Sequence, residues 1–302
     1  MPTPSNTLYK KDAITAWLFS LPALLGLLCF VLLPFVLALI LSFTNLRLGS
    51  PLPTEYIGWT QYQRIFSDSA FLHALRNNTL FALIVVPLQT VLALMLAILI
   101  NQPLRGMTVF RTLFFMPVVF PLSLVSVVWI LLFAPGPNGA INSVMEFITF
   151  GSWQARDFLH NTFWALPAIT FTSIWQGVGF QMVILLAALQ SIPAELYEAA
   201  KVDGANSRQQ FLFITLPQLR NALIFVVLVT TILAFRLFDQ IQIMTQGGPQ
   251  HATTTVIYEA VTAAFATQQV ARGAAMTVVF FVIVLVLTLL QRKVLRQERA
   301  IE

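Results

Sequence analysis

Two groups of residues in this sequence carry side chains suited to chemistry. The first is a run from Ile192 to Pro217, in which Pro193, Glu195 and Glu198 precede Gly204 and an apolar set of Phe211, Leu212, Ile214 and Leu216. Proline suits the first turn of a helix, acidic residues favour its N-terminal half, and glycine permits the left-handed residue that stops it. Ser207 and Gln210 have capping-box spacing, which predicts a second helix running to Pro217. A helix, a glycine turn and another helix, with small Ala199 and Ala200, make a surface that a partner can approach closely. The second group lies within apolar stretches. Ser173, Gln176, Gly177 and Phe180 are spaced i, i+3, i+4, i+7 on one helical face, and Thr230, Leu233, Ala234 and Leu237 repeat that spacing. An aromatic ring stacks on the C–H faces of a sugar while amides and hydroxyls bind its hydroxyl groups. Helix packing in membranes uses the same residue types, so each face admits a structural role as well.

Other chemistries find no residues. There is no G-x-x-x-x-G-K-[ST] phosphate loop and no H-E-x-x-H pair, and Gly177-Val178-Gly179 lacks the third glycine of a dinucleotide fingerprint. His73, His160 and His251 are too far apart in sequence for a local metal motif. Cys29 is the single cysteine and forms no intramolecular disulfide. A net charge of +5 from 17 basic and 12 acidic residues leaves too few cations to track a nucleic-acid backbone.

The elements that hold these groups are apolar on a membrane scale. Hydrophobic residues make up 58% of the 302 positions and charged residues 10%, and the mean hydropathy of +0.81 excludes a water-soluble globular domain. The charge-free intervals 13–46, 77–104, 112–145, 158–194 and 273–291 each approach or exceed the ~20 residues that a spanning helix needs. A shorter interval, 221–235, reaches that length as Leu219 to Phe238 if Arg220 and Arg236 snorkel at its ends. Six spans result, with predicted cores Ala16–Leu41, Thr79–Ile100, Thr112–Phe133, Phe163–Leu189, Leu219–Phe238 and Ala274–Leu290. The first follows Lys10 and Lys11 but is far longer than a signal-peptide apolar region, so it is expected to be retained. Prolines 22, 34, 87, 121 and 167 are expected to kink their spans, and the Phe and Trp residues read as lipid contacts and interface anchors.

Alternate loops hold eleven and six basic residues, and the richer set contains both termini and the 191–220 loop. The positive-inside rule places that set in the cytoplasm. Acidic residues divide evenly between the two sides, so the basic excess is a record of topology. Arg236 and Asp239, three apart at the outer end of the fifth span, are expected to pair.

The loop carries a further signal. Glu198-Ala199-Ala200, three residues, Gly204, nine residues, then Ile214-x-Leu216-Pro217 resembles, at all seven fixed positions, the EAA motif of permease subunits in binding-protein-dependent ABC importers. Phe238-Asp239 followed by Thr245-x-Gly247-Gly248-Pro249, Ile57-Gly58-Trp59 with Tyr62 and Phe66, and Leu104-Arg105-Gly106 to Pro117 resemble segments of the maltose and glycerol-phosphate type of carbohydrate permease. The resemblance covers about Ala13 to Lys293, and the chain looks like a compact MalF-like member without the additional N-terminal spans and large periplasmic insertion of the maltose protein.

This resemblance implies an all-α polytopic protein of type I ABC importer permease fold. It divides into a cytoplasmic N-terminus (1–12), a six-helix domain (13–290) containing the coupling loop (191–217), and a cytoplasmic tail (291–302). It implies a bacterial cytoplasmic membrane location, a homologous MalG-like permease partner, two ABC ATPase copies that bind ATP and Mg, and an extracytoplasmic sugar-binding protein. This chain itself would hold no cofactor and contact lipid but no nucleic acid. Glu198, Ala199, Ala200, Gly204, Ile214, Leu216 and Pro217 would dock on an ATPase. Ser173, Gln176, Gly177, Phe180, Thr230, Leu233, Ala234 and Leu237 would line the pathway of a mono-, di- or oligosaccharide or related polyol phosphate. Ala234 and Leu237 stand where maltose-type subunits have amides, so the contacts would differ from those made to maltose. A secondary transporter would need an ion-coupling charge, and the predicted cores of spans one to four and six contain no Asp, Glu, Lys or Arg. A membrane enzyme would need a clustered catalytic set, and no spacing supports one.

Overall fold

A computed structural model describes residues 6–102, 106–137 and 139–296. Leu104, Arg105, Asn138, Glu298, Arg299 and Glu302, which entered the sequence reading, lie outside the described residues. Among those described, regular structure is helical, and a single isolated antiparallel bridge joins Thr44 to Tyr56.

α1 (Asn6–Leu27) passes through a π-helical turn (Leu28–Leu32) into α2 (Leu33–Leu41). Pro34 has no N–H to offer the preceding turn, and Leu33 N–H reaches back five residues to Leu28 O, which widens the helix there. α3 (Thr60–Phe66) is short, and α4 (Ser69–Ile100) is a 32-residue helix whose first turn is capped by Asp68. α5 (Met107–Val119) and α6 (Leu122–Leu132) follow, then α7 (Ala140–Ile148) and α8 (Ala165–Gln190). α9 (Ala194–Val202), α10 (Ser207–Gln210) and α11 (Leu216–Gln218) lead into α12 (Arg220–Phe235), and α13 (Val256–Val261) and α14 (Val270–Arg296) complete the chain.

Four stretches, Thr15–Leu41, Ser69–Ile100, Ala165–Gln190 and Val270–Lys293, are each long and apolar enough to cross a bilayer. Two bent pairs, Met107–Val119 with Leu122–Leu132 and Ser207–Gln218 with Arg220–Phe235, bring the number to six if each pair is one span. The predicted third span is not one helix: α5 and α6 meet at 100°. Pro121 disfavours helical backbone at Phe120, which adopts φ −80° and ψ 138°, and the helix stops there. The fifth span is also shorter than predicted, because α12 ends at Phe235 and the helix leading into it is bent by 63°. Leu237 and Phe238 therefore lie beyond the helix rather than in it.

The described residues group into two units. In the one formed from Met1–Ile65 and Ala260–Val279, the Phe43 ring packs among Tyr56, Trp59 and Tyr62, and Leu48 N–H donates to Gln268 O at 2.9 Å. The other unit is formed from Phe66–Glu259 and Phe280–Glu302. One apolar core there joins Phe81 and Val85 of α4, Trp129 of α6, Ile169 and Ile174 of α8, and Phe235 of α12. A second joins Ala93 and Ala97 of α4 to Met182 and Leu185 of α8 and to Leu219. Asn78, fully buried on α4, donates to Phe235 O at 3.2 Å and accepts from Val256 N–H at 2.8 Å, satisfying backbone groups at the C-terminal end of α12 and the start of α13.

Candidate functional site

The second unit encloses a cavity of about 450 Å³ between α4, the α5–α6 break, α8 and α12 with the residues that follow it. All eight residues predicted from the two helical faces line it: Ser173, Gln176, Gly177 and Phe180 from α8, and Thr230, Leu233, Ala234 and Leu237 from α12 and just beyond. The broken third span contributes Val118 and Leu122 from opposite sides of its bend.

Ten further lining residues were not among those predicted to line the pathway. Phe81, Val85 and Gln89 come from α4, Gln181 from α8, Arg236, Phe238, Asp239 and Gln240 from the segment after α12, and Val118 and Leu122 from the break. The predicted Arg236–Asp239 pair does not form among the described residues; both side chains are exposed and both border the cavity. The end of α12 at Phe235 takes the two positions out of helical register, which removes the i,i+3 geometry that the pairing assumed.

Hydrogen bonds cross the cavity wall. Ser173 Oγ donates to Gln240 Oε1 at 2.5 Å, and Gln181 Nε2 donates to Thr230 Oγ1 at 2.6 Å. Gln89 lies flat against Gly177, where a Cβ would stand 2.1 Å from Gln89 Nε2. Gly177→Ala is therefore expected to leave the fold intact, because the obstacle is the end of a flexible side chain, while displacing the Gln89 amide. Uptake by a membrane preparation of that variant should fall about threefold to tenfold at unchanged protein abundance.

Gly179, two residues on, has a different neighbour. A Cβ there would lie 2.0 Å from Phe114 O, so α8 and α5 touch backbone to backbone. Gly177-Val178-Gly179 is thus a packing and lining segment of a helix, in keeping with its rejection as a nucleotide site.

The loop after α8 forms the helix–turn–helix that its residues predicted. Pro193 precedes α9, Glu195 lies in its first turn, and Gly204 takes φ +79°. Ala205 N–H donates to Ala200 O at 2.8 Å and Gly204 N–H to Lys201 O at 3.1 Å, which is the paired bonding of a Schellman stop. The second helix is capped by Asn206 and Gln209, one residue earlier than the predicted Ser207 and Gln210. Asn206 Oδ1 accepts from Gln209 N–H at 2.9 Å while Gln209 Oε1 accepts from Asn206 N–H at 2.8 Å, a reciprocal box.

Between that box and Pro217 the chain makes a π-helical turn, Phe211–Thr215, and Tyr197 Oη meets Thr215 Oγ1 at 2.9 Å, fastening the two arms of the loop. Glu198 and Ala199 are exposed, Ala200, Ile214 and Leu216 are half-buried, and α9 buries none of its residues in this chain. Among the described residues Val202, at the end of α9, and Phe213, in the π-helical turn, are 88% and 77% exposed.

Residues 89–299 match the family described as binding-protein-dependent transport system inner membrane component. The chain belongs to that family: it is the multi-pass permease component of an ABC importer, not an ATP-hydrolysing enzyme. It is 34% identical over 289 residues to the probable ABC transporter permease protein YurN of Bacillus subtilis (strain 168), covering 94% of this chain and 97% of that one. It is 33% identical over 257 residues to the lactose transport system permease protein LacF of Rhizobium radiobacter, covering 84% of each. The crystal structure of a bacterial ABC transporter involved in the import of the acidic polysaccharide alginate shares the fold, with a TM-score of 0.83 at 20% identity over 97% of this chain and 100% of the matched one.

Proposed function

We infer that this permease carries a carbohydrate from an extracytoplasmic binding protein into the cytoplasm of a bacterium, holding it in transit in the α4–α8–α12 cavity. The observation that carries this reading is the convergence of eight residues, chosen from two separate helical faces, on one cavity. Its wall combines aromatic rings of Phe81, Phe180 and Phe238 with amides and hydroxyls, the mixture that suits a molecule with apolar C–H faces and a rim of hydroxyls. Relatives named for lactose, for diacetylchitobiose and for sn-glycerol-3-phosphate transport support a sugar or polyol cargo.

The turn at Gly204 faces the cytoplasm in this reading, with both termini on the same side of the inner membrane. Glu198, Ala199, Ala200, Gly204 and the Ile214–Pro217 segment present the docking surface for one of two ATPase copies, and those partners bind ATP and Mg. A second, homologous permease completes the pathway. The exposed Val202 and Phe213 and the rigid Schellman turn support a surface shaped for a partner.

The combined Gln176→Ala and Phe180→Ala variant tests the cavity. In vesicles holding the whole importer, its apparent KM for the sugar should rise about tenfold or more with ATP turnover in the absence of sugar unchanged. Wild-type KM and rate would remove the cavity from the pathway.

A further inference from the structure

Four glutamines share the cavity wall, Gln89, Gln176, Gln181 and Gln240, and two of them carry a buried polar atom without a partner. Gln181 and Gln240 are 3% and 1% exposed, and Gln181 Oε1 and Gln240 Nε2 are buried without a hydrogen-bond partner. Buried polar atoms in folded proteins are almost always paired, and leaving one unpaired is costly. Two such atoms, on residues of α8 and of the segment after α12 that line one cavity, call for a common cause.

The orientation of Gln181 follows from the bonds around it. Thr230 Oγ1 donates its single proton to Val226 O at 2.7 Å, so it can only accept from Gln181. The Gln181 amide must therefore turn its NH₂ towards Thr230, which leaves its carbonyl oxygen as a free acceptor. Ser173 Oγ, which also donates to Ile169 O at 3.0 Å, contacts one end of the Gln240 amide and leaves the other, Nε2, without a partner. Gln89, 5% exposed and laid against Gly177, makes no hydrogen bond among the described residues.

We propose that Gln181 and Gln240, with Gln89 beside them, are the specificity-determining residues of this permease, and that they select an uncharged, polyhydroxylated sugar. The proposal rests on the cavity being the substrate site. A hydroxyl group both donates and accepts, so neighbouring hydroxyls can satisfy an orphan acceptor and an orphan amide NH₂ together. A carboxylate or phosphate only accepts, so it can take a hydrogen bond from Gln240 Nε2 but leaves the Gln181 oxygen unpaired. Thr230 and Ser173 act as positioning residues, each pinning one glutamine across the helix boundary. Arg236 and Asp239 border the same cavity with opposite charges, so the lining adds no net attraction for an anion.

The test uses this chain assembled with its permease partner and ATPase pair in nanodiscs, without binding protein, so that only the membrane cavity meets the probe. Lactose is the neutral probe and sn-glycerol 3-phosphate the anionic one, and apparent Kd is read from the rise in thermal midpoint with probe concentration. Lactose is expected to stabilise the wild-type complex and glycerol phosphate to do so far less. Gln181→Met and Gln240→Met, which keep side-chain length, should each weaken lactose about tenfold, and Gln181→Met should narrow the gap between the two probes.

Thr230→Val and Ser173→Ala keep both glutamines but release their ties. They should weaken lactose about threefold, and they serve where a methionine variant does not assemble. Phe180→Ala reports on the cavity independently of the amides. Loss of lactose stabilisation in Phe180→Ala with none in the glutamine and tie variants would overturn the amide assignment and leave the cavity standing. No effect in any of these variants, or no lactose shift in the wild type, would remove the cavity as the site. Stronger stabilisation by glycerol phosphate than by lactose would overturn the selection for an uncharged sugar.

Discussion

Gly204→Asp is expected to abolish uptake, by roughly a hundredfold or more, while the chain inserts and accumulates normally. The expectation comes from what surrounds the residue. Gly204 holds φ +79°, and no atom lies within 4 Å of where its Cβ would stand, so a side chain there meets open space in this chain. The intrinsic cost is that of left-handed backbone, about 1–2 kcal/mol for an ordinary residue and less for Asp or Asn, which visit that region more readily. The Schellman bonds to Ala200 and Lys201 use backbone groups that aspartate also possesses. A chain that tolerates the substitution by itself will lose function only if a second surface closes on the turn.

Gly204→Asn separates shape from charge, since it adds the same volume without the carboxylate. Uptake in vesicles, sugar-stimulated ATP turnover and co-purification of the ATPase are the readouts. If Gly204→Asp supports normal uptake, the turn is not the docking surface. If both variants lose uptake while retaining the ATPase, the turn transmits motion rather than supplying affinity.

Much of this arrangement was legible because lipid forces it. A backbone in hydrocarbon must satisfy its own hydrogen bonds, so spans appear as long charge-free intervals, and α4, α8 and α14 lie where those intervals predicted. The break at Phe120–Pro121 was not legible in the same way. Pro22, Pro87 and Pro117 also stand in apolar surroundings and remain inside their helices, so residue type did not mark which proline would part the chain. The capping register was degenerate for a similar reason: Asn206 with Gln209 and Ser207 with Gln210 have the same spacing, and Asn and Ser cap about equally well.

The site shows the same division. Ser173, Gln176, Gly177 and Phe180 were found because a helical period places them on one face. Gln181 is four residues beyond Gly177 and continues that face at its edge, where α12 approaches and Thr230 meets it; the chosen spacing stopped one residue short of it. Gln240 lies beyond the end of α12, after the break at 236–238 that resets the helical register, and Gln89 belongs to a helix chosen from the sequence only as a span. Periodicity finds the residues of one face; a cavity collects residues from several faces that only packing brings together.

Gly179→Leu is expected to remove the folded protein, and Gly179→Ala to lower its stability measurably. The nearest atoms to a Cβ at this position are Phe114 O at 2.0 Å, Phe114 C at 2.8 Å and Phe115 Cα at 3.0 Å, all of them backbone. No rotamer change relieves such a contact, so α8 and α5 must move apart. Inserting a methyl group into a packed site costs about 1–3 kcal/mol, and a leucine must displace far more. Membrane helices have little hydrophobic drive to hold them together, so loss of close packing is not readily offset. Separation would also move Val118, four residues along α5 from Phe114, and with it one wall of the cavity. Gly177→Ala serves as the control, since it adds the same methyl group on the same helix against a movable amide. A thermal midpoint several degrees lower for Gly179→Ala than for Gly177→Ala, with reduced uptake, is the expected result. Equal midpoints for the two, together with a stable and active Gly179→Leu protein, would show that α5 does not need its close approach to α8.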